Sequence, residues 1–216
     1  MIRVKLIRSI LRLIHKIVPK VIRFYKFYGI KLYVPYGVFN PILTVSTSLI
    51  LKNLKVCGKV IDIGCGTGVI AIYSSLNECV EEAYAYDVSL KALATAKVNI
   101  KLNGVSNKVR IIFNKEELCE LSFDYIIVNP PYLPIEPSDE LDTLWCGGKD
   151  LRIYSSILKL AYSILRRGGS IILTASSVSD MNLVMKIIRN LNLKIRSLKY
   201  AVTPLDKIYL INAQKL

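Results

Sequence analysis

Histidine and paired cysteines are the scarcest chemistry in this chain. Its 216 residues hold one histidine, His15, and five cysteines, Cys57, Cys65, Cys79, Cys119 and Cys146, with no CxxC pair. An odd, scattered set of this kind argues against a disulfide scaffold and against a structural zinc site, which needs four ligands at close spacing. No 18-residue stretch is apolar and free enough of charge to cross a bilayer. The opening residues do not read as a secretory leader either. Arg8, Arg12, His15, Lys16 and Lys20 interrupt what should be an apolar stretch, and no small-residue cleavage site follows, so a cytoplasmic chain is expected. Acidic residues are missing from the first 61 positions, where 12 of the 30 Lys and Arg lie. The remaining 18 basic residues are nearly balanced by all 16 Asp and Glu, so the net charge of +14 belongs mainly to the N-terminal part. Such a field attracts phosphate backbones or anionic membrane surfaces without distinguishing them.

Apolar residues are plentiful, at 52%, enough for one domain with a large core. Residues 1–41 read as a basic amphipathic helical segment with a linker, and residues 42–216 as the main domain. In the first segment Leu6, Ile10, Leu13, Ile14, Ile17, Val18 and Val21 can share one face, with Lys5, Arg8, Arg12, Lys16, Lys20 and Arg23 on the other. Three fates are open to this helix. It can pack on the domain with its basic face solvated; it can turn a ridge of Arg8, Arg12, Lys16 and Lys20 toward RNA or the ribosome; or it can meet a membrane surface or partner. Pro19 is expected to divide it from a second short helix. A further helix is expected over 43–54.

From Lys59 onward, short apolar runs alternate with amphipathic segments. Strands are expected at 60–63, 83–86, 109–113, 125–128 and 170–174, with helices near 67–75, 90–102, 151–165 and 181–191. Repeated strand and helix imply an α/β fold whose parallel sheet is covered on both faces. Residues 194–202 and 207–212, joined through a turn at Pro204, add two neighbouring strands, hence one antiparallel member.

Two motifs sit at strand ends. In Asp62-Ile63-Gly64-Cys65-Gly66-Thr67-Gly68, Gly64 and Gly66 free the backbone to turn under a ligand, and Gly68 lets the next helix approach the sheet. The following strand ends in Tyr86-Asp87-Val88, where a carboxylate can accept both hydroxyls of a ribose. A dinucleotide site needs GxGxxG; this run is DxGxGxG. It resembles the first motif of class I S-adenosylmethionine-dependent methyltransferases. The resemblance implies S-adenosylmethionine as cofactor, with no metal, over Asp62, Gly64, Cys65, Gly66, Gly68, Asp87, Val88, Asn114 and Asn129. Within that set, Asp62 serves the methionine end, Asp87 the ribose and Asn114 the adenine.

The second motif is Asn129-Pro130-Pro131-Tyr132 at the end of the fourth strand. An amide or exocyclic base nitrogen is a poor nucleophile because its lone pair is delocalised. The Asn129 side-chain carbonyl and the Pro130 backbone carbonyl can accept the two N–H hydrogens of a planar NH2 and draw that lone pair out of conjugation. Pro130 and Pro131 stiffen the segment, and Tyr132 can stack on the planar group.

Together with Trp145-Cys146-Gly147-Gly148-Lys149-Asp150-Leu151 and the late Lys207-Ile208-Tyr209-Leu210, these motifs resemble the protein-glutamine N5-methyltransferases of translation release factors, particularly the compact archaeal and eukaryotic type. The resemblance spans roughly residues 33–213. It implies a Rossmann-like, seven-stranded, mostly parallel sheet of order 3-2-1-4-5-7-6. It further implies a release-factor glutamine as substrate and a small zinc-binding activator adding a strand beside strand 3, an edge the N-terminal helix could otherwise cover. Tyr33-Val34-Pro35-Tyr36-Gly37-Val38 departs from that family, with Val38 where an acid is expected. The tetrad suits an RNA base amine, adenine N6 or guanine N2, as well as an amide. A non-catalytic basic RNA-binding module is the remaining alternative.

Overall fold

The computed structural model describes residues 2–216. A helix α1 (Ile2–Val21) leads into a hairpin of β1 (Phe24–Phe27) and β2 (Ile30–Tyr33), followed by α2 (Val45–Asn53). Alternation then proceeds through β3 (Gly58–Ile63), α3 (Val69–Ser75), β4 (Val80–Tyr86), α4 (Leu90–Leu102), β5 (Val109–Ile112), α5 (Lys115–Cys119), β6 (Phe123–Val128), α6 (Arg152–Ile164) and β7 (Leu165–Ser176). The chain ends with α7 (Met181–Asn190), β8 (Leu193–Val202) and β9 (Lys207–Lys215). The seven-stranded sheet has the order β5-β4-β3-β6-β7-β9-β8, the one expected. Within this sheet β9 runs antiparallel to β7 and β8, and the other neighbouring strands pair in parallel.

Side-chain alternation builds two apolar layers. Val60, Ala83, Ala85 and Ile127 face α2, α3 and α4 through Leu49, Ile72 and Leu93. Ile61, Ile63, Ile126 and Val128 face α6 and α7 through Tyr154, Leu158 and Val184. Both sheet faces are therefore covered, as a parallel sheet requires. The carboxyl ends of β3, β4 and β6 open to one side, at the crevice where open α/β sheets bind ligands.

Four local expectations are corrected. Pro19 does not divide the first helix: it lies in the last turn, so the hydrogen bond it cannot donate is lost only at the helix end, and the chain then enters a hairpin and not a second helix. That hairpin turns at Tyr28 (φ 50°) and Gly29 (φ 82°), two positive-φ central residues of the kind a tight hairpin needs. A tyrosine carries little signal for the left-handed region, so the turn was not evident. Cys57 and Cys79 form a disulfide, with Cα atoms 4.9 Å apart. The parallel pairing of β3 with β4 aligns their amino ends and brings together two thiols 22 residues apart, a proximity no local spacing reveals.

The fourth correction concerns α1, which meets the domain with the opposite face from that expected. Ile7, His15 and Pro19 are buried, while Leu6, Ile10, Leu13, Ile17 and Val21 are exposed. The anchor is electrostatic. Arg8 and Arg12 both pair with Asp142, whose side chain is fully buried, and Arg12 also pairs with Asp139. Burial alone would raise the Asp142 carboxyl; hydrogen bonds from Arg8 and Ser138 hold it well below the usual carboxylate range. The His15 ring completes the contact, stacking on Phe39 at 5.6 Å and tilting against Trp145 at 5.1 Å. The ridge of four basic residues is thereby split: Arg8 and Arg12 face the domain, and Lys16 and Lys20 remain exposed. Nor does α1 cover β5. It packs against the segment that follows β6, at Leu133, Leu141 and Trp145.

Candidate active site

Asp62 is the penultimate residue of β3, in its buried second half, and the chain leaves the strand through three glycines in the left-handed region, at φ 76°, 52° and 77°. Gly64 has open space where a Cβ would stand. Gly68 is different: a Cβ there would lie 3.0 Å from that of Ala96, so this glycine lets α3 approach α4 and not the sheet. The turn is held to the next strand by the N–H groups of Gly64 and Cys65, both donating to the Tyr86 carbonyl. Asp87 is fixed in turn by the N–H of Gly66 and of Ser89, each at 2.9 Å. Each carboxylate oxygen takes one of these bonds and keeps acceptor capacity for another donor.

A cleft of about 380 Å³ lies over this turn. Gly64, Cys65, Gly66, Asp87, Val88, Asn129, Pro130 and Pro131 line it, so most of the candidate residues are gathered there. Val38 lines it too, as a buried apolar wall where the resemblance led one to expect an acid. Asn114 is not brought to the cleft, which corrects that candidate. Its exposed side chain accepts the Glu117 N–H at 2.8 Å and caps α5. Asp62 and Gly68 lie beneath the cleft surface.

Asp62 is the electrostatic anomaly. It is 1% exposed, and neither carboxylate oxygen has a hydrogen-bond partner of normal geometry. Burial, then the nearby charge of Asp87, pushes its carboxyl up to about 8, offset only in part by the Ala71 N–H. A buried carboxylate without a partner is costly unless a cation or donor completes it. The open glycine cradle, the Asp87 carboxylate and the unpaired Asp62 fit the hydroxyls and ammonium of a nucleoside that carries an amino acid, such as S-adenosylmethionine.

A second cavity of about 250 Å³ lies on the other side of Asn129. Asn129, Pro130, Phe39 and Leu144 line both spaces, so the tetrad stands at their junction. This second cavity is largely aliphatic, closed by Ile7, Leu11 and Ile14 of α1 and by Leu205 and Ile208. Tyr132 lines it as well, half-buried; burial and then the Asp206 carboxylate raise its phenol, which stays protonated. Asn129 is oriented by two residues that sequence reading missed. The Thr174 hydroxyl donates to its Oδ1 at 2.6 Å, and its Nδ2 reaches the Thr47 hydroxyl at 3.4 Å. Thr174 lies within β7, two residues before its end, and carries no local signal of its role.

The Gly147-Gly148 segment acts on the tetrad through packing. Leu133 N–H donates to the Trp145 carbonyl and Gly147 N–H to the Leu133 carbonyl, both at 2.8 Å. A Cβ on Gly147 would stand 2.4 Å from the Pro131 carbonyl oxygen, a backbone atom. Gly147→Ala is therefore expected to push the tetrad loop out of place, costing roughly 1–3 kcal/mol in stability through overpacking. The cost is steric and not conformational, because Gly147 is not among the glycines with positive φ. A thermal melt of Gly147→Ala at the parental temperature, with methyl transfer unchanged, would contradict this role.

Among the described residues no cluster of three or more His, Cys, Asp or Glu is arranged to hold a metal. Comparison with known proteins identifies the family. The Methyltransferase small domain family matches residues 30–204. A protein of Methanocaldococcus jannaschii, provisionally named a protein N5-glutamine methyltransferase, is 31% identical over 198 residues, 87% of this chain and 97% of the relative. A release factor glutamine methyltransferase of Flavobacterium psychrophilum is 30% identical over 181 residues, 76% of this chain and 63% of that protein. Among solved structures, the tRNA m1G37 methyltransferase of M. jannaschii superposes with a TM-score of 0.66 at 19% identity, covering 89% of this chain and 56% of that one, a likeness of fold. With sheet order, glycine turn and family match in agreement, the chain belongs to the methyltransferase small domain family and is a class I S-adenosylmethionine-dependent methyltransferase.

Proposed function

We propose that this enzyme methylates the planar NH2 of a protein side-chain amide, the glutamine of a translation release factor. The observation that carries this reading is the shared wall of Asn129 and Pro130 between the cleft over the glycine turn and the aliphatic cavity. The cofactor supplies an electrophilic sulfonium methyl on the first side. The chain's own residues do the rest. Asn129, with one lone pair taken by Thr174, offers the other to an acceptor N–H. Tyr132 bounds the acceptor from the side and the prolines keep both carbonyls rigid. No strong base is needed before transfer, because the proton leaves from the more acidic methylated ammonium.

An amide at the end of a methylene stem suits this cavity better than a nucleobase does. A base presents several polar edges that need partners. Here the Asp206 carboxylate is already engaged by the hydroxyls of Ser176 and Thr203, and the remaining walls are mostly aliphatic. A second reading, an RNA base amine (adenine N6 or guanine N2), is favoured by one observation, the 12 basic and no acidic residues ahead of Asp62. In either reading residues 1–41 act with residues 42–216 as one unit, since Gly37–Pro41 and α1 contribute walls to the two spaces. The edge strand β5, with Phe113 54% exposed beyond it, offers the place where a small zinc-binding activator would add a strand.

The test is transfer of radioactive methyl to whole-cell extract, with protease and ribonuclease digestion of separate portions of the labelled fraction. Label released by protease and recovered as N5-methylglutamine is the expected result. Label released by ribonuclease alone would replace the amide reading with the base-amine one.

A further inference from the structure

The amphipathic helix α1 leaves its apolar stripe in solvent. Ile2, Leu6, Ile10, Leu13, Ile17 and Val21 recur at intervals of four, four, three, four and four, one continuous line along about 30 Å of helix. Their exposures run from 40% for Ile10 to 87% for Ile2. An amphipathic helix ordinarily turns such a line inward. Here the inward position is held by the Arg8 and Arg12 pairs with Asp142 and by the stacked His15. The stripe is fastened facing outward.

Its borders are basic. By the helical repeat Lys5, Lys16 and Lys20 follow one side of the stripe and Arg3 the other, all four exposed and none in an ion pair among the described residues. No carboxylate lies anywhere in residues 1–61. The helix also precedes residues 30–204, the part matched by the family, so the family's fold does not account for it.

We propose that α1 binds the surface of an anionic bilayer, lying in the interface with this stripe among the acyl chains and its lysines at the headgroups. The charge pattern separates this occupant from others. A second copy would bring Lys5, Lys16 and Lys20 against their own counterparts with no acid to meet them. RNA would satisfy the lysines but gain nothing from six aliphatic side chains. A bilayer satisfies both, since interfacial helices combine a buried apolar face with attraction of Lys and Arg to anionic lipid. The helix is too charged to span: among the described residues none is long and apolar enough to cross a membrane. Because Ile10 and Ile14 also line the aliphatic cavity, docking would bring the mouth of that cavity to the membrane surface. The inference is independent of the polymer that is methylated.

The test is flotation of the full chain with vesicles of phosphatidylcholine alone and of phosphatidylcholine mixed with phosphatidylglycerol. Binding to the mixed vesicles, and much weaker binding to the neutral ones, is expected. The double variant Leu13→Asp, Ile17→Asp should lose at least about tenfold in partitioning. Lys16→Gln with Lys20→Gln should lose about fivefold per lysine. These side chains are exposed, so both variants should keep the parental S-adenosylhomocysteine affinity and melting temperature, which checks their folding. Absence of binding to mixed vesicles, equal partitioning of parent and variants, or equal affinity for neutral and anionic vesicles would overturn the proposal. So would loss of RNA or acidic-protein capture by the variants in the absence of any vesicle binding.

Discussion

Asn129→Ala is expected to lower the methyl-transfer rate by about 100- to 1000-fold, while the fold and most of the S-adenosylhomocysteine affinity persist. The side chain stands at the wall common to the two cavities and is fixed there by Thr174 at 2.6 Å. Its carbonyl is thus preorganised for an acceptor N–H and for the charge that builds on nitrogen. Removing one such group costs roughly 2.7–4 kcal/mol in the transition state and little in the ground state. Thr174→Val tests the positioning part. It should lower kcat by a smaller factor and leave KM for the cofactor near the parental value. Single-turnover transfer at the parental rate by purified Asn129→Ala would exclude the proposed role.

Cofactor affinity is the second large effect. Asp87→Ala should weaken S-adenosylhomocysteine binding by about 1.5–3 kcal/mol, the range of charge-assisted hydrogen bonds. Asp62 adds a pH dependence of definite sign. Its carboxyl in the free protein is pushed up to about 8, first by burial and then by Asp87, so it holds a proton at neutral pH. An ammonium group bound beside it favours the ionised form, and binding must then release a proton. Affinity should rise with pH by up to about tenfold per unit until near 8, then level off. Calorimetry in buffers of different ionisation enthalpy reads the proton directly. Asp62→Asn should abolish both the release and the slope; a parental slope in that variant would assign the proton elsewhere.

The same shift bears on the stability of the free protein. A raised carboxyl contributes stability that is complete below its unfolded value and is lost as pH rises through about 8. Asp142 acts in the opposite sense. Burial opposes its ionisation, but Arg8 and Ser138 depress it, so its contribution is present above the ordinary carboxylate range and lost only in strong acid. Anchoring of α1 should therefore be insensitive to pH across the neutral range.

The strand–helix alternation and the position of both motifs were legible in the sequence because they depend on local periodicity and turn chemistry; the sheet order followed only from the family resemblance. Apolar runs of strand length alternated with helical segments, and three glycines after Asp62 permitted only a tight turn. The tetrad after Val128 then had to fall at a neighbouring strand end. The orientation of α1 was not legible. Its apolar residues spread over more than half the helix circumference, so the 3.6-residue period declared a face without choosing which part of it to bury. The choice came from Asp142, 134 positions from Arg8, a buried carboxylate that draws the arginine side inward. The Cys57–Cys79 bond, the Thr174 support of Asn129 and the missing partner of Asp62 are decided in the same way. Each depends on groups that only sheet pairing and packing bring within a few ångströms, where a charge or hydrogen bond is strong enough to outweigh a local preference.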